Sequence, residues 1–325
     1  MMIVQKILHR LNGKHYPQEY VCLPQEQHAN ALHMVLVSKN VVIKDITADY
    51  LMAGICPLIF ALPPLEEIDL NTQDYINIFY SNSPLKPGSA VSSKNIVAKL
   101  CFKKIKAQPV EQSTIYFFEG LSGSHKFLSP FHQFINRVNN VLYNKKGGNI
   151  FLKGNLYTQI QIVYSVPQVV SLITLSNDNL YNMFPTDQHG QINDKYYIIA
   201  LRHSGNACKQ VQETKKILLS NINAACWKEV FRLGKNHMQP LKEESNFNFS
   251  NTRSEILKIP LPLNSIEYRE LNLVDSFIHG IHRILIFKIL SYQKLTKNPL
   301  TLSCINNTYA SWQHKNKLPT NYFMY

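Results

Sequence analysis

Residues 166–206 read VPQVVSLITLSNDNLYNMFPTDQHGQINDKYYIIALRHSGN, and this stretch decides the fold class. Residues 169–175 are an apolar, β-branched run that carries Thr174 near its end. A polar turn over residues 176–179 follows, and the chain restarts at Asn182. A second apolar run, residues 196–201, opens directly onto Arg202, His203, Ser204 and Gly205. Short runs of this kind, bounded by polar turn residues, predict strands. Each strand delivers hydroxyl, amide or cationic groups to its end, where a phosphorylated ligand could be held.

Around this stretch the chain has material for one large domain or two ordinary ones. It has 325 residues, 45% apolar and 17% charged, a balance that excludes whole-chain disorder. The 17 Tyr and 16 Phe favour strands and flat apolar surfaces over helix bundles. The net charge is +13, but the lysines are dispersed apart from small clusters such as Lys103-Lys104 and Lys215-Lys216. A solvated surface is the plain reading of that charge. Attraction of a phosphorylated cofactor or of nucleic acid is the functional one, and no recognised nucleic-acid module accompanies it. The six cysteines, at positions 22, 56, 101, 208, 226 and 304, have neither metal-ligand spacing nor the density of a disulfide scaffold. Reduced thiols, no metal site and a cytoplasmic protein are expected. The N-terminal apolar run is broken by His9 and Arg10, unlike a signal peptide. The longest apolar run, residues 51–62, is short of a bilayer span and contains Pro57, so no membrane partner is expected.

The first 147 residues read as a mixed, strand-rich α+β domain of unknown role. Residues 33–37 and 41–43 are strand-like and are separated by Ser38-Lys39-Asn40, a hairpin signal. Residues 47–60 predict a short helix capped by Thr47 and closed by Pro57 and Pro63-Pro64. Residues 75–80, 96–105 and 114–119 predict strands. Ser129-Pro130 starts a helix whose stripe of Phe131, Phe134, Ile135, Val138, Val141 and Leu142 is expected to face the core. Lys145-Lys146-Gly147-Gly148-Asn149 combines charge with flexible glycines and marks the boundary to a second domain, residues 148–325. No internal repeat is evident across it, although a degenerate copy of the second half, as a second barrel, stays open.

In the second domain, residues 150–152, 160–164 and 169–175 predict successive strands. Residues 206–215 predict a helix, 217–222 a strand, and 227–233 a helix ended by Gly234 as a left-handed C-terminal cap. Residues 243–253 read as an irregular polar loop, and residues 268–275 and 284–290 as strands. Many short strands with few helices predict a mainly β fold with some α, closed as a barrel.

Four features of residues 155–305 follow one another in order. Pro167-Gln-Val-Val-Ser-Leu-Ile-Thr174 is followed by a turn and Asn182. Residues 202–206 lead into a helix and the strand 217–223. Phe231-Arg-Leu-Gly234 ends the second helix, and Gly280-Ile281-His282 precedes the last long strand. In this order they resemble the flavin reductase family, whose fold is the FMN-binding split barrel. Ile281 stands where that family usually has Asp, and the turn before Asn182 lacks the common glycine. About half the chain is covered, and the first 145 residues are left unexplained. The resemblance implies FMN as cofactor, NADH or NADPH as co-substrate, and a dimer with flavin near the interface. A homodimer and an intramolecular pseudo-dimer both stay open, as do a covering or substrate-choosing role for the first half.

FMN needs cations or amides for its phosphate, polar groups for its ring edge and an apolar wall for its ring. Arg202 suits phosphate by its forked geometry, Ser204 adds a hydroxyl, and the amides of Ser204, Gly205 and Asn206 lie near a predicted helix start. A surface salt bridge is the alternative for Arg202. Thr174 and Asn182 could hydrogen-bond the ring or ribityl chain, or could serve as strand-end caps. The backbone of Met183, Phe184, Pro185 and Thr186, and of the loop Asp187-Gln-His189-Gly190, could meet the pyrimidine edge or form an ordinary loop with a buried Phe. The resemblance implies that His282 sits beside nicotinamide or flavin, as the catalytic candidate; a hydrogen-bonded structural histidine is the alternative. Hydride passes directly from nicotinamide to flavin, so no nucleophile–base pair is required. The function read from these residues is an FMN-binding oxidoreductase of flavin reductase type. A non-catalytic flavin-binding sensor or electron carrier would need most of the same residues. Charge alone would suit a basic nucleic-acid or protein interaction module.

Overall fold

The computed structural model describes residues 20–25, 32–111, 113–143, 152–297 and 300–316. Its first half holds β1 (Tyr20–Gln25), β2 (His33–Ser38), β3 (Val41–Asp45), β4 (Leu51–Ile55), β5 (Leu58–Leu62), β6 (Tyr75–Ser81), β7 (Ile96–Val110) and β8 (Ser113–His125). Helices α1 (Pro130–Tyr143) and α2 (Asn155–Val163) follow. The stretch quoted at the outset supplies β9 (Gln168–Val169), β10 (Ser171–Asn177), β11 (Leu180–Thr186), β12 (His189–Gln191) and β13 (Tyr196–Arg202). Then come α3 (Asn206–Thr214), β14 (Lys216–Ile222), α4 (Trp227–Arg232), β15 (Lys242–Glu243), β16 (Phe249–Arg253) and β17 (Pro260–Pro262). The chain continues through β18 (Ser265–His279), β19 (His282–Lys294), β20 (Thr301–Asn306) and α5 (Asn307–Lys315). The protein is a strand-rich α+β structure.

Two large antiparallel sheets repeat one topology. The first has the order β3-β2-β6-β7-β8-β5-β4; the second contains β11-β10-β14-β18-β19-β13-β12, extended by β15 beside β11. Taken in chain order, the strands of each set occupy the same places: an opening hairpin (β2–β3, β10–β11), a second hairpin (β4–β5, β12–β13), a single strand (β6, β14) and a long hairpin (β7–β8, β18–β19). The residue patterns of the halves conceal this repeat.

The sheets meet through equivalent strands. One buried cluster joins Leu51, Ala53, Ile59 and Phe117 of β4, β5 and β8 to Ile198, Ile284 and Ile286 of β13 and β19. Polar links tie the same surfaces: His279 Nε2 to Glu119 at 2.7 Å and Gln108 Nε2 to Asp275 at 2.7 Å. A contact made by the same elements on both sides is the isologous arrangement of a twofold dimer, here within one chain. A separate cluster, including Ile173, Phe184, Leu201, Val211, Leu219 and Phe287, is drawn from the second sheet and α3 alone.

Several local expectations are corrected. Residues 47–60 form no helix: β4 and β5 pair there as a hairpin, buried on both faces. An apolar run without alternation does not distinguish a buried strand from a helix. Residues 160–164 are not a strand; most of them lie in α2, where every residue from Tyr157 to Val163 is buried. The helix approaches β8 closely at Gly120 and Gly123: a Cβ on Gly120 would sit 2.2 Å from Gln159 Oε1. Asn155 fixes that approach by accepting from the Gly123 amide at 2.6 Å and donating to its carbonyl at 2.9 Å. The stripe of α1 does not all face the core, since Phe131 and Phe134 are 65% and 63% exposed while Ile135 is 6% exposed. Gly234 caps nothing: it lies inside a 3₁₀ turn, Leu233–Met238, that continues α4. Residues 243–253 include β16, which pairs with β17. The boundary at residues 145–149 and the strand start at 150–151 lie outside the described residues. The six cysteines are all free thiols. Among the described residues no helix is long and apolar enough to cross a membrane.

Candidate functional site

A cavity of about 400 Å³ lies at the ends of β11 and β13 and the start of α3. β13 carries Ala200, Leu201 and Arg202 to its wall, and β11 carries Pro185 and Thr186. The antiparallel register of β13 and β19 sets Arg202 opposite His282, which also lines the cavity. After β13 the chain turns sharply: the His203 amide donates to the Ile281 carbonyl at 3.1 Å, and the Gly205 amide to the Arg202 carbonyl at 3.0 Å. Gly205 is the N-cap of α3 and offers no side-chain acceptor, and the first turn of α3 holds no acidic residue. The opening amides of α3 therefore start beside Arg202 without a side-chain cap, an arrangement that favours anions. No salt bridge among the described residues involves Arg202, whose side chain is exposed.

Other groups reach this wall from distant parts of the chain. The 3₁₀ turn after α4 contributes Gly234, His237 and Met238. His237 Nε2–H donates to the Pro185 carbonyl at 2.8 Å and its ring packs 4.7 Å from Phe184. Asn206 Nδ2 donates to the Met238 carbonyl at 2.8 Å, which fastens that turn to α3. Ile55 of β4 is the first sheet's contribution. Gly280, at φ +60°, lets the β18–β19 turn rest on the β4–β5 turn, where a Cβ would lie 2.3 Å from the Cys56 carbonyl oxygen.

Three side chains set the polarity of the cavity. His282 is 2% exposed, and its Nδ1 is buried with no hydrogen-bond partner among the described residues. Burial lowers its pKa to about 4, with the charges of Arg202 and His203 adding to the effect, so the ring is neutral at pH 7. Gln188 Oε1 is likewise buried without a partner. Asp187 accepts from the Tyr164 hydroxyl at 2.7 Å, and Cys304 Sγ lies 3.7 Å from the same oxygen. Burial raises the Asp187 carboxyl above its ordinary pKa, with the Tyr164 hydrogen bond opposing the shift.

Of the residues singled out from the sequence, Pro185, Thr186, Arg202, Gly205 and His282 come together on this wall. Ser204 is exposed beside it, and Asn206 opens α3. Thr174, Asn182, Met183 and Phe184 do not line it. Thr174 is fully buried between Met183 and Leu218 in the sheet. Asn182 donates to Gln210 Oε1 at 2.7 Å and to the Asn236 carbonyl at 3.1 Å, and accepts from the Met183 amide at 2.9 Å. It thereby ties β11 to α3 and to the 3₁₀ turn. Met183 is buried beside another cavity, under α4, and Phe184 belongs to the core of the second sheet. Ile55, His237 and Met238 carry no local signal, and the polar loop at Asp187 and Gln188 points by its pattern to backbone amides, not to these side chains. Among the described residues no group of three or more His, Cys, Asp or Glu is placed to hold a metal ion.

No family model matches the sequence, and no curated protein matches it. Solved structures of FMN-binding proteins and flavin reductases do resemble part of the chain. An FMN-binding protein from Thermus thermophilus with bound p-hydroxybenzaldehyde is 12% identical, covering 43% of this chain and 86% of its own, at a TM-score of 0.38. A putative flavin reductase from Haemophilus somnus is 15% identical, over 47% of this chain and 95% of its own, at a TM-score of 0.39. BorF, the flavin reductase component of a bacterial two-component tryptophan halogenase, is 14% identical, over 43% and 88%, at a TM-score of 0.38.

Proposed function

We propose that this chain binds FMN in the cavity at the start of α3 and acts as an NAD(P)H-dependent oxidoreductase of the flavin reductase type. One observation carries the reading: an arginine and two buried polar atoms without partners among the described residues converge, with an uncapped helix start, on one apolar-walled cavity. At about 400 Å³ it is within the usual range for small-molecule sites. The donor set fits FMN. Arg202 and the amide of Asn206 at the start of α3 would hold the phosphate. Gln188 Oε1 and His282 Nδ1 would meet polar atoms of the ring or ribityl chain, and Pro185, Leu201 and Met238 would shield the ring from water.

Bound FMN would supply a two-electron acceptor for hydride from NADH or NADPH. The chain's own part is orientation and exclusion of water. His282, neutral at pH 7, can accept or donate a hydrogen bond at Nδ1 according to its tautomer. Asp187, on the cavity wall, is held in place by the Tyr164 hydroxyl that donates to it.

The first half serves in this reading as a built-in partner, so that two split barrels, one degenerate, form a pseudo-dimer. The repeated strand order and the isologous core support it. The first repeat has Leu62-Pro63-Pro64 where β13 runs into Arg202-His203-Ser204, and it has no helix between β5 and β6. One flavin site per chain follows. Titration of FMN fluorescence, with a spectrum over about 350 to 500 nm for the bound flavin, tests the reading. The expected result is quenching at micromolar FMN with one site per monomeric chain. Absence of quenching removes the proposal, and binding without NAD(P)H oxidation removes the turnover.

A further inference from the structure

A second cavity, of about 650 Å³, shares no lining residue with the first. It lies where β9 and β20 meet residues of β14, β18 and β19, with Thr47, Ala48, Tyr50, Leu51 and Met52 of the first half along its wall. Arg269 of β18 lines it. Its guanidinium stands 4.4 Å from the ring centroid of Tyr292 and 5.6 Å from that of Tyr197. Arg269 Nη1 donates to Glu267 Oε1 at 3.2 Å, while its Nε is buried without a partner. Glu267 is fully buried and also accepts from Asn221 Nδ2 at 2.6 Å and from the Tyr292 hydroxyl at 2.8 Å. On β20, Thr301 Oγ1 and Ser303 Oγ belong to residues 1% and 0% exposed, and neither has a partner among the described residues.

Buried polar groups are normally hydrogen-bonded, because an unmade bond there is costly. Three such groups belong to residues on one cavity wall, each able to donate and none with an acceptor among the described residues, so an acceptor brought into the cavity would satisfy them. The charge of the acceptor follows from Glu267. Arg269 is already matched by that carboxylate and the exposed Asp194 also lines the cavity, so an entering anion would lack a counterion, while a cation would meet only donors at Arg269 Nε, Thr301 and Ser303. Tyr197 is stacked on His189, whereas Tyr292, 44% exposed with Arg269 against one face, has a second face that suits a ring. We propose that this cavity is a binding site for an uncharged, flat carbonyl compound, a ring bearing an amide or ketone. Its oxygen accepts from Arg269 Nε and from the hydroxyls of Ser303 and Thr301.

The probe is benzamide, with benzoate and benzylamine as charged counterparts of the same size. Methyl-labelled methionine in the full chain reports the place, since Met52 lines this cavity and Met238 the first. Benzamide is expected to shift the Met52 methyl resonance and leave Met238 in place, and the charged rings to bind at least about tenfold more weakly. Ser303→Ala weakens benzamide by about fivefold, the worth of one hydrogen bond, with an unchanged or higher melting temperature. Thr301→Val provides the same measurement at the second hydroxyl. A still Met52 resonance, benzoate binding as tight as benzamide, or a lower melting temperature in both variants overturns the proposal, the last because it gives those hydroxyls partners within the fold.

Discussion

His282 and Arg202 face each other across the β13–β19 register, a buried imidazole opposite an exposed guanidinium, with no hydrogen-bond partner for Nδ1 and no ion pair for Arg202 among the described residues. The pair separates two tasks on one cavity wall. The guanidinium stays solvated and can meet an anion, while its charge helps to keep the imidazole behind it neutral.

Arg202→Ala should weaken FMN by about tenfold to a hundredfold, the worth of a charge-assisted hydrogen bond. The urea midpoint should stay within error of the parent, because the side chain is exposed and makes no salt bridge with described residues. Fluorescence titration and a denaturation curve on the same sample separate the two effects.

Acid should destabilise the fold in a defined window. Burial takes His125 and His282 from an ordinary 6.5 to about 4. Between those values the unfolded chain binds protons that the folded chain refuses, so stability falls as pH drops from about 6.5 and this contribution levels off below about 4. Each group adds a slope of up to about 1.4 kcal/mol per pH unit. Urea midpoints measured from pH 7 to pH 4 check this, and His282→Asn should make the dependence shallower.

Asn182→Ala should behave as a lesion of the scaffold. Its amide holds β11 to Gln210 and to the Asn236 carbonyl, and no part of it lines the cavity. A loss of about 2 kcal/mol of stability is expected, with FMN affinity of the remaining folded protein changed by less than about twofold.

Gly280→Ala should cost about 3 kcal/mol, from φ strain and overpacking together. Its Cβ would meet Pro57 Cδ at 2.2 Å and the Cys56 carbonyl oxygen at 2.3 Å. Gly88→Ala is the control: the same sign of φ, at +79°, with nothing within 4 Å. It should cost only about 1 kcal/mol, the αL strain alone. Equal losses in the two variants would show that contact between the two sheets' turns contributes nothing.

What was legible in the sequence was local. Turn residues and β-branched runs delimit β10, β13 and β14, and the run from β13 into α3 places Arg202 and Gly205 at the mouth of a strand–turn–helix unit. Strand propensity and turn chemistry act over a few residues, so they survive in the letters. The helix α2 and the hairpin β4–β5 did not, because both are buried on all sides and leave no polar face to mark a period. Phe131 and Phe134 mislead for the converse reason: a helical stripe shows which residues share a face, not whether anything covers it.

The sequence by itself determined that the protein is rich in strands, that its thiols have no disulfide or zinc spacing, and that residues 166–206 end two strands in ligand-ready groups. Tertiary structure decided which of those groups share a wall. It turned Thr174 and Asn182 into the sheet, brought Ile55, His237 and Met238 to Arg202, and paired two halves of one topology through the same strands. Pairing register and burial are set between residues tens to hundreds of positions apart. No short stretch of the chain carries them.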